Sequence, residues 1–121
     1  MSLLFEGYAA VFDRVDRAGD VFRAGAFAGA MDAPLLLQHR GAAVGAVRVE
    51  EDARGLRVSG RVEGPAAALV RSGALTGLSV GYRPIEVRQG GYRELRRVAL
   101  VEVSLVAQPM QRLARVEVVE G

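Results

Sequence analysis

The run from residue 98 to residue 106, VALVEVSLV, most constrains what this chain can fold into. Aliphatic and β-branched residues dominate it, and this composition favours a strand. Because successive side chains of a strand point to opposite faces, one face is predicted to be entirely apolar, with Ala99, Val101, Val103 and Leu105. The other face carries Glu102 and Ser104 among Val98, Leu100 and Val106. An ionised carboxylate in such a run is costly unless compensated, so Glu102 is either paired structurally or kept for chemistry.

Further strands are predicted wherever apolar alternation is bounded by turn residues. They cover residues 3–13, 34–39, 44–50, 56–63, 75–83, 85–88, 92–95, 98–106 and 115–119. Two short helices are predicted at 24–31 and 65–72, the second with a proline near its first position and Gly73 at its end. This pattern predicts a mainly β protein with a few short helices, folded as a small closed antiparallel barrel of six to eight strands. A length of 121 residues favours a single domain spanning residues 1–121.

Composition excludes several kinds of site. The chain has no cysteine, which rules out disulfides, thiolate nucleophiles and cysteine-based zinc sites. A single histidine argues against a histidine-rich metal site, and we expect no cofactor. No apolar run approaches the roughly 18 residues of a membrane span, and the N-terminus lacks the basic segment of a secretion signal. We therefore expect a cytoplasmic protein that does not bind membranes.

Three residues predict a hydrolytic site. Ser79 lies between Gly77 and Gly81, which we expect to clear space for a substrate backbone. A serine is a weak nucleophile without an adjacent base, and His39 is the one histidine available for that role. Glu102 is suited to accept a hydrogen bond from the imidazole, fixing its tautomer and stabilising the imidazolium. Each residue alone is more often structural, but together they fit one mechanism: nucleophile, base and orienting carboxylate.

The segment from Gly77 to Gly81 also matches the G-x-S-x-G pattern of the nucleophile elbow of α/β-hydrolases. That motif requires a turn from a strand into a helix after the serine. Here the residues that follow Ser79 continue as a predicted strand until Pro84, and the chain is short for that fold. We reject the α/β-hydrolase interpretation.

The chain resembles the prohead proteases of tailed phages, which mature capsids. The matching segments follow in order through nearly the whole chain: FEGYAAVFD from Phe5, GDV from Gly19, GAF from Gly25, LLQH from Leu36, RGL from Arg54, GALTGLSVGY from Gly73, and EVSLV from Glu102 with Pro109. The family is similar to the herpesvirus maturation protease, a serine protease on a small β-barrel. The resemblance implies that His39 and Ser79 are the catalytic pair and that Glu102 takes the third position, where the herpesvirus enzyme has a second histidine.

The resemblance also implies the biological setting. The implied substrate is the major capsid protein, cut at its scaffolding segment inside the immature capsid, within the cytoplasm of a bacterial host. A homodimer is implied as well. The segment of residues 110–112 departs from the small residues typical of the family after Pro109, in the region where we look for the oxyanion donor.

Two alternatives remain open from the sequence. A barrel of the same fold without catalytic activity would serve as a capsid assembly or structural factor, and the chain's short length motivates this reading. A nucleic-acid-binding barrel is motivated by an isoelectric point near 9.7. Against it, the net charge is only +2, the arginines alternate with acidic residues, and few aromatics are available for base stacking. We expect no nucleic-acid partner.

Overall fold

A computed structural model describes residues 2–120, except for the side chains of residues 118 and 119. Within this range the chain forms eight strands and one α-helix. In chain order these are β1 (Ser2–Val11), β2 (Asp20–Phe22), β3 (Asp32–Leu37), β4 (Arg40–Glu51), β5 (Gly55–Glu63), α1 (Gly64–Arg71), β6 (Gly77–Gln89), β7 (Arg93–Val106) and β8 (Val116–Glu120). The prediction of a mainly β protein is confirmed.

The strands form one curled sheet, and the predicted closed barrel is wrong. Seven strands follow the order β2-β7-β3-β4-β5-β1-β8, and β6 pairs with β7 outside this path. A closed barrel would need β6 to pair with β8 along its length. Among the described residues these edges meet at one bridge between Gly77 and Arg115, with two flanking backbone hydrogen bonds. Since β8 has five residues and β6 has thirteen, most of the β6 edge has no strand to pair with there.

The sheet is mixed, and β7 organises it. One part of β7 pairs with β2 and a later part pairs with β3, both in parallel, while β6 runs antiparallel to it. Strands β6 and β7 form a hairpin around Gly90 and Gly91, since β6 ends at Gln89 and β7 begins at Arg93. This hairpin sets the register that places Ser79 opposite Ser104 and Gly81 opposite Glu102.

The faces of β7 differ from the prediction because the strand contains a β-bulge. The register skips Val101 between the pairs Gly81–Glu102 and Tyr82–Leu100. A bulge inserts one residue and thereby interrupts the alternation of faces. Val101 is consequently exposed, whereas Val103 and Leu105 are fully buried in the core. The prediction of one continuous apolar face was therefore wrong at Val101.

One predicted helix is present and the other is not. Helix α1 packs Ala66, Ala67 and Val70 into the core and ends before Gly73, whose φ of 85° is accessible to glycine at little cost. In the segment 24–31, residues 24–29 instead form successive turns, because Gly25 and Gly29 adopt φ values of 91° and 86° that interrupt a helix. The short strand β2 was not predicted.

Candidate active site

His39 lies in a tight hairpin between β3 and β4. Leu37 pairs with Arg40, so Gln38 and His39 are the two central residues, with φ values of 52° and 60°. Positive φ at both central positions is the geometry of the type I′ turn, which usually requires Asn or Gly. Two hydrogen bonds to β7 hold the Gln38–His39 turn in this conformation. The Gln38 N–H donates to the carbonyl of Leu105 at 3.0 Å, and the His39 N–H donates to Ser104 Oγ at 3.1 Å. The imidazole therefore projects beside β7.

The structure brings His39 and Glu102 together, as predicted. The His39 Nδ1 atom lies 2.5 Å from Glu102 Oε2. The second oxygen of Glu102 accepts a hydrogen bond of 2.7 Å from the Ser104 hydroxyl. Glu102 is 8% exposed and Ser104 is fully buried, so this carboxylate is shielded from water and held at both oxygens. The Nε2 atom is the ring nitrogen that remains for proton transfer.

Ser79 lies on β6, directly across from Ser104 on β7, and is 7% exposed. Ser79 and His39 line the same cavity, of about 100 Å³. Within the part of the chain that the structure describes, the Ser79 hydroxyl makes no hydrogen bond with the His39 ring, whose side-chain contact is with Glu102. The structure thus places all three predicted residues at one site and joins two of them by a hydrogen bond.

The glycines beside Ser79 do not keep space for a substrate backbone, which corrects the prediction. A Cβ atom on Gly77 would lie 2.6 Å from the ring of Pro109. A Cβ atom on Gly81 would lie 2.7 Å from the Cδ atom of Glu102 and would overlap its carboxylate. Both spaces are filled by the protein itself, and Gly81 is what allows Glu102 to lie against β6.

An ionic network that the sequence did not reveal supports one wall of the cavity. Asp20 is buried and binds Arg93 through two hydrogen bonds of 2.7 and 2.8 Å, while the hydroxyl of Tyr82 donates to it at 2.8 Å. The bond with Arg93 lowers the pKa of Asp20. Burial, reinforced by Asp20, raises the pKa of Tyr82. Because Asp20 is the first residue of β2, these groups hold that strand, and the end of the loop that precedes it, against β6 and β7.

Asp16 lies in the same loop and lines the cavity. Its Oδ1 atom accepts hydrogen bonds from the backbone N–H groups of Ala18 and Asp20, at 2.8 and 2.9 Å. Burial raises the pKa of Asp16 despite these two bonds.

A larger open depression of about 570 Å³ lies elsewhere, between residues 27–31 and strands β4 and β5. Neither His39 nor Ser79 lines it.

The chain is similar to one known protein family and to solved structures of a viral protease. The model of the caudovirus prohead serine protease family matches residues 1–121. The chain belongs to this family. Two solved structures of KSHV protease are similar in fold. One, in complex with a hexapeptide phosphonate inhibitor, has a TM-score of 0.69 at 14% sequence identity; the other has a TM-score of 0.62 at 16% identity.

Both similarities cover 100% of this chain but only 66% and 62% of the KSHV chains, so the chain spans less than two thirds of either. No curated protein matches it. At these identities the KSHV structures establish only the fold of this prohead protease family member. Its chemistry has to follow from its own residues.

Two residues of the site in this family member were missed as functional candidates. Ser104 could have been found from the period of two in a strand, which puts it on the same face as Glu102. Asp16 carries a weaker signal, a carboxylate in a polar loop.

Among the described residues there is no group of three or more histidine, cysteine or acidic side chains arranged to hold a metal, and no helix is long and apolar enough to cross a membrane.

Proposed function

We propose that this chain is a serine endopeptidase that cleaves the scaffolding segment of the major capsid protein during maturation of a phage or phage-like head. The observation that carries the proposal is the His39–Glu102 pair at a cavity that Ser79 also lines. Membership of the prohead serine protease family supplies the biological setting.

In this mechanism the Ser79 hydroxyl attacks the carbonyl carbon of the scissile peptide and His39 Nε2 accepts its proton. The imidazolium then donates that proton to the leaving amine, and water repeats the cycle on the acyl-enzyme. Glu102 accepts the Nδ1–H bond, which fixes the productive tautomer and stabilises the imidazolium. Ser104 holds the other oxygen of Glu102. Residues 110 and 111 also line the cavity, and we place the oxyanion donor in this segment.

The missing hydrogen bond between Ser79 and His39 is compatible with this role, because catalytic hydrogen bonds often tighten only when substrate binds. The imidazole is held at Nδ1 and its side chain is 42% exposed, so its Nε2 edge has room to approach the hydroxyl. We further propose that the protease acts as a homodimer inside the immature capsid in the host cytoplasm, without a cofactor.

The test is co-expression with the capsid protein of the same particle, followed by mass spectrometry of that protein. Wild type is expected to shorten it, whereas Ser79→Ala should reduce cleavage at least about a thousand-fold while leaving the fold intact. Ser59→Ala, on strand β5, is the control and should cleave as wild type does. A Ser79→Ala variant that still cuts would refute the proposed nucleophile.

The alternative is a catalytically silent assembly factor of the same fold, and the absent Ser79–His39 hydrogen bond favours it. It predicts full-length capsid protein with both wild type and Ser79→Ala, while particles still assemble. Loss of assembly on deletion of the gene, rescued equally by both forms, would establish this second function.

A further inference from the structure

The cavity beside Ser79 has apolar walls and one polar group with an atom that makes no hydrogen bond within the described part of the protein. Its walls include Ala9, Phe22, Leu78 and Val80. A substrate carbonyl must come within about 3.5 Å of the Ser79 hydroxyl before attack. The side chain on the residue that supplies this carbonyl therefore lies beside Ser79, next to the cavity that Ser79 lines.

The other polar side chains of the cavity are committed within the protein. The Gln111 amide accepts from the Val11 N–H at 2.6 Å and donates to the Val11 carbonyl at 2.8 Å. The Tyr82 hydroxyl donates to Asp20, whose charge is compensated by Arg93. These groups shape the cavity without being available to a ligand.

Asp16 differs from them. It is 8% exposed, and both of its recorded hydrogen bonds end on Oδ1. Among the described residues no donor lies within hydrogen-bond distance of Oδ2, and no cation pairs with this carboxylate. Nearby Arg17 donates instead to Gln108, at 3.1 Å. Since no fully buried side-chain oxygen of the described chain lacks a partner, Oδ2 keeps some accessible surface, and a donor carried by a ligand in the cavity can pair with it.

We propose that this cavity is a substrate side-chain pocket for a basic residue, and that Asp16 selects the residue whose carbonyl Ser79 attacks. This inference rests on the proposed protease function. A lysine fits the arrangement well, since its slender apolar stem suits the walls of a small cavity and its ammonium brings donors to Oδ2. The pocket would reject an acidic side chain, because its carboxylate would meet the carboxylate of Asp16.

The experiment compares fluorogenic peptides that differ at one residue: lysine, norleucine, which has a similar stem without the charge, and glutamate. Wild type should cleave the lysine peptide at least about ten-fold faster in kcat/KM than the norleucine peptide. Asp16→Asn retains an oxygen for the two backbone bonds and should lose that preference, with norleucine cleavage nearly unchanged. Asp13→Asn, an exposed carboxylate of the same loop, is the control and should keep the preference. Equal cleavage of lysine and norleucine by wild type, or an unchanged preference in Asp16→Asn, overturns the inference.

A second variant and a binding assay test the pocket separately from the proposed protease activity. Ala18→Lys places an ammonium at an exposed position on the rim and should weaken binding of the lysine peptide. Calorimetry with Ser79→Ala measures binding without turnover, and the lysine peptide should bind about ten-fold more tightly than the norleucine peptide. Binding with this preference but no cleavage by wild type refutes the protease proposal and supports the pocket. Equal or absent binding of both peptides refutes the pocket.

Discussion

At the scale of single residues, Gly81 makes the sharpest test of how Glu102 is placed. We predict that Gly81→Ala folds but loses at least about a hundred-fold in kcat. The added methyl group would occupy the space of the Glu102 carboxylate, which is the movable end of a side chain and would swing away from His39. Peptide or capsid-protein cleavage measures the loss, and circular dichroism checks the fold. Gly90→Ala, in the same hairpin, meets ordinary contacts and should remain active; equal activity of both variants would contradict the prediction.

Ser104 is the residue that holds the Oε1 atom of Glu102, the oxygen that does not contact His39. We predict that Ser104→Ala lowers kcat about ten-fold or more with little change in KM, because Glu102 loses a buried hydrogen bond and the backbone N–H of His39 loses its acceptor. Ser104→Thr keeps the hydroxyl and should restore most of the rate. Steady-state kinetics on both variants separates positioning from a general loss of stability, since a purely structural role would leave kcat per folded molecule unchanged.

The site residues show how much of the site could be predicted from the sequence. Glu102 was singled out because a carboxylate in an apolar strand must be compensated, and the structure supplies that compensation through His39 and Ser104. The glycines were misinterpreted, because a sequence indicates that space is needed but not what fills it. The catalytic roles of His39, Ser79 and Glu102 stay a prediction.

At the scale of elements, the end of α1 depends on Gly73. We predict that Gly73→Ala lowers the free energy of unfolding by about 1 kcal/mol, because its φ of 85° is left-handed and disfavoured for any residue with a Cβ atom. Open space surrounds that Cβ position, so the cost is conformational rather than steric. Urea denaturation measures it. Gly91→Ala, also surrounded by open space but without positive φ, should change stability by less than about 0.5 kcal/mol.

The other elements show where local patterns fail. The alanine-rich composition of residues 24–31 favours a helix locally, but its glycines adopt conformations that hold turns against Glu51, whose carboxylate accepts from the N–H groups of Gly25 and Phe27. Strand β2 has three residues, too few for an alternating pattern, and it exists because β7 offers a free edge to pair with.

At the scale of the whole molecule, stability should depend on pH through Asp20. Arg93 lowers the pKa of Asp20 in the folded protein. As the pH falls, Asp20 therefore takes up a proton at a higher pH in the unfolded chain than in the folded one. The stabilisation is therefore fully present above the ordinary carboxyl pKa of about 4, and it is lost as the pH falls through the lowered value. We predict that wild type is more stable than Asp20→Asn at pH 7, by about 1 to 3 kcal/mol, and that this difference shrinks below pH 4.

Urea denaturation at several pH values measures this difference. Asp16→Asn should behave oppositely. Because burial raises the pKa of Asp16, the ionised group opposes folding near neutral pH, and its replacement should add stability there that fades in acid. A stability difference between wild type and Asp20→Asn that does not vary with pH would contradict the assigned role of the Asp20–Arg93 pair.

The sequence alone determined the strand-rich architecture and the candidate triad, because both follow from local rules: side-chain alternation in strands and the cost of an isolated carboxylate. Tertiary structure decided the curled open sheet, the bulge at Val101, the Gln38–His39 turn and the register that sets Ser79 beside Ser104 and Gly81 beside Glu102. These features depend on how strands pair with one another, whether they are neighbours in the chain, as β6 and β7 are, or distant from each other, as β3 and β7 are. Twist and bulges fix that pairing, and they arise only once the strands pack together.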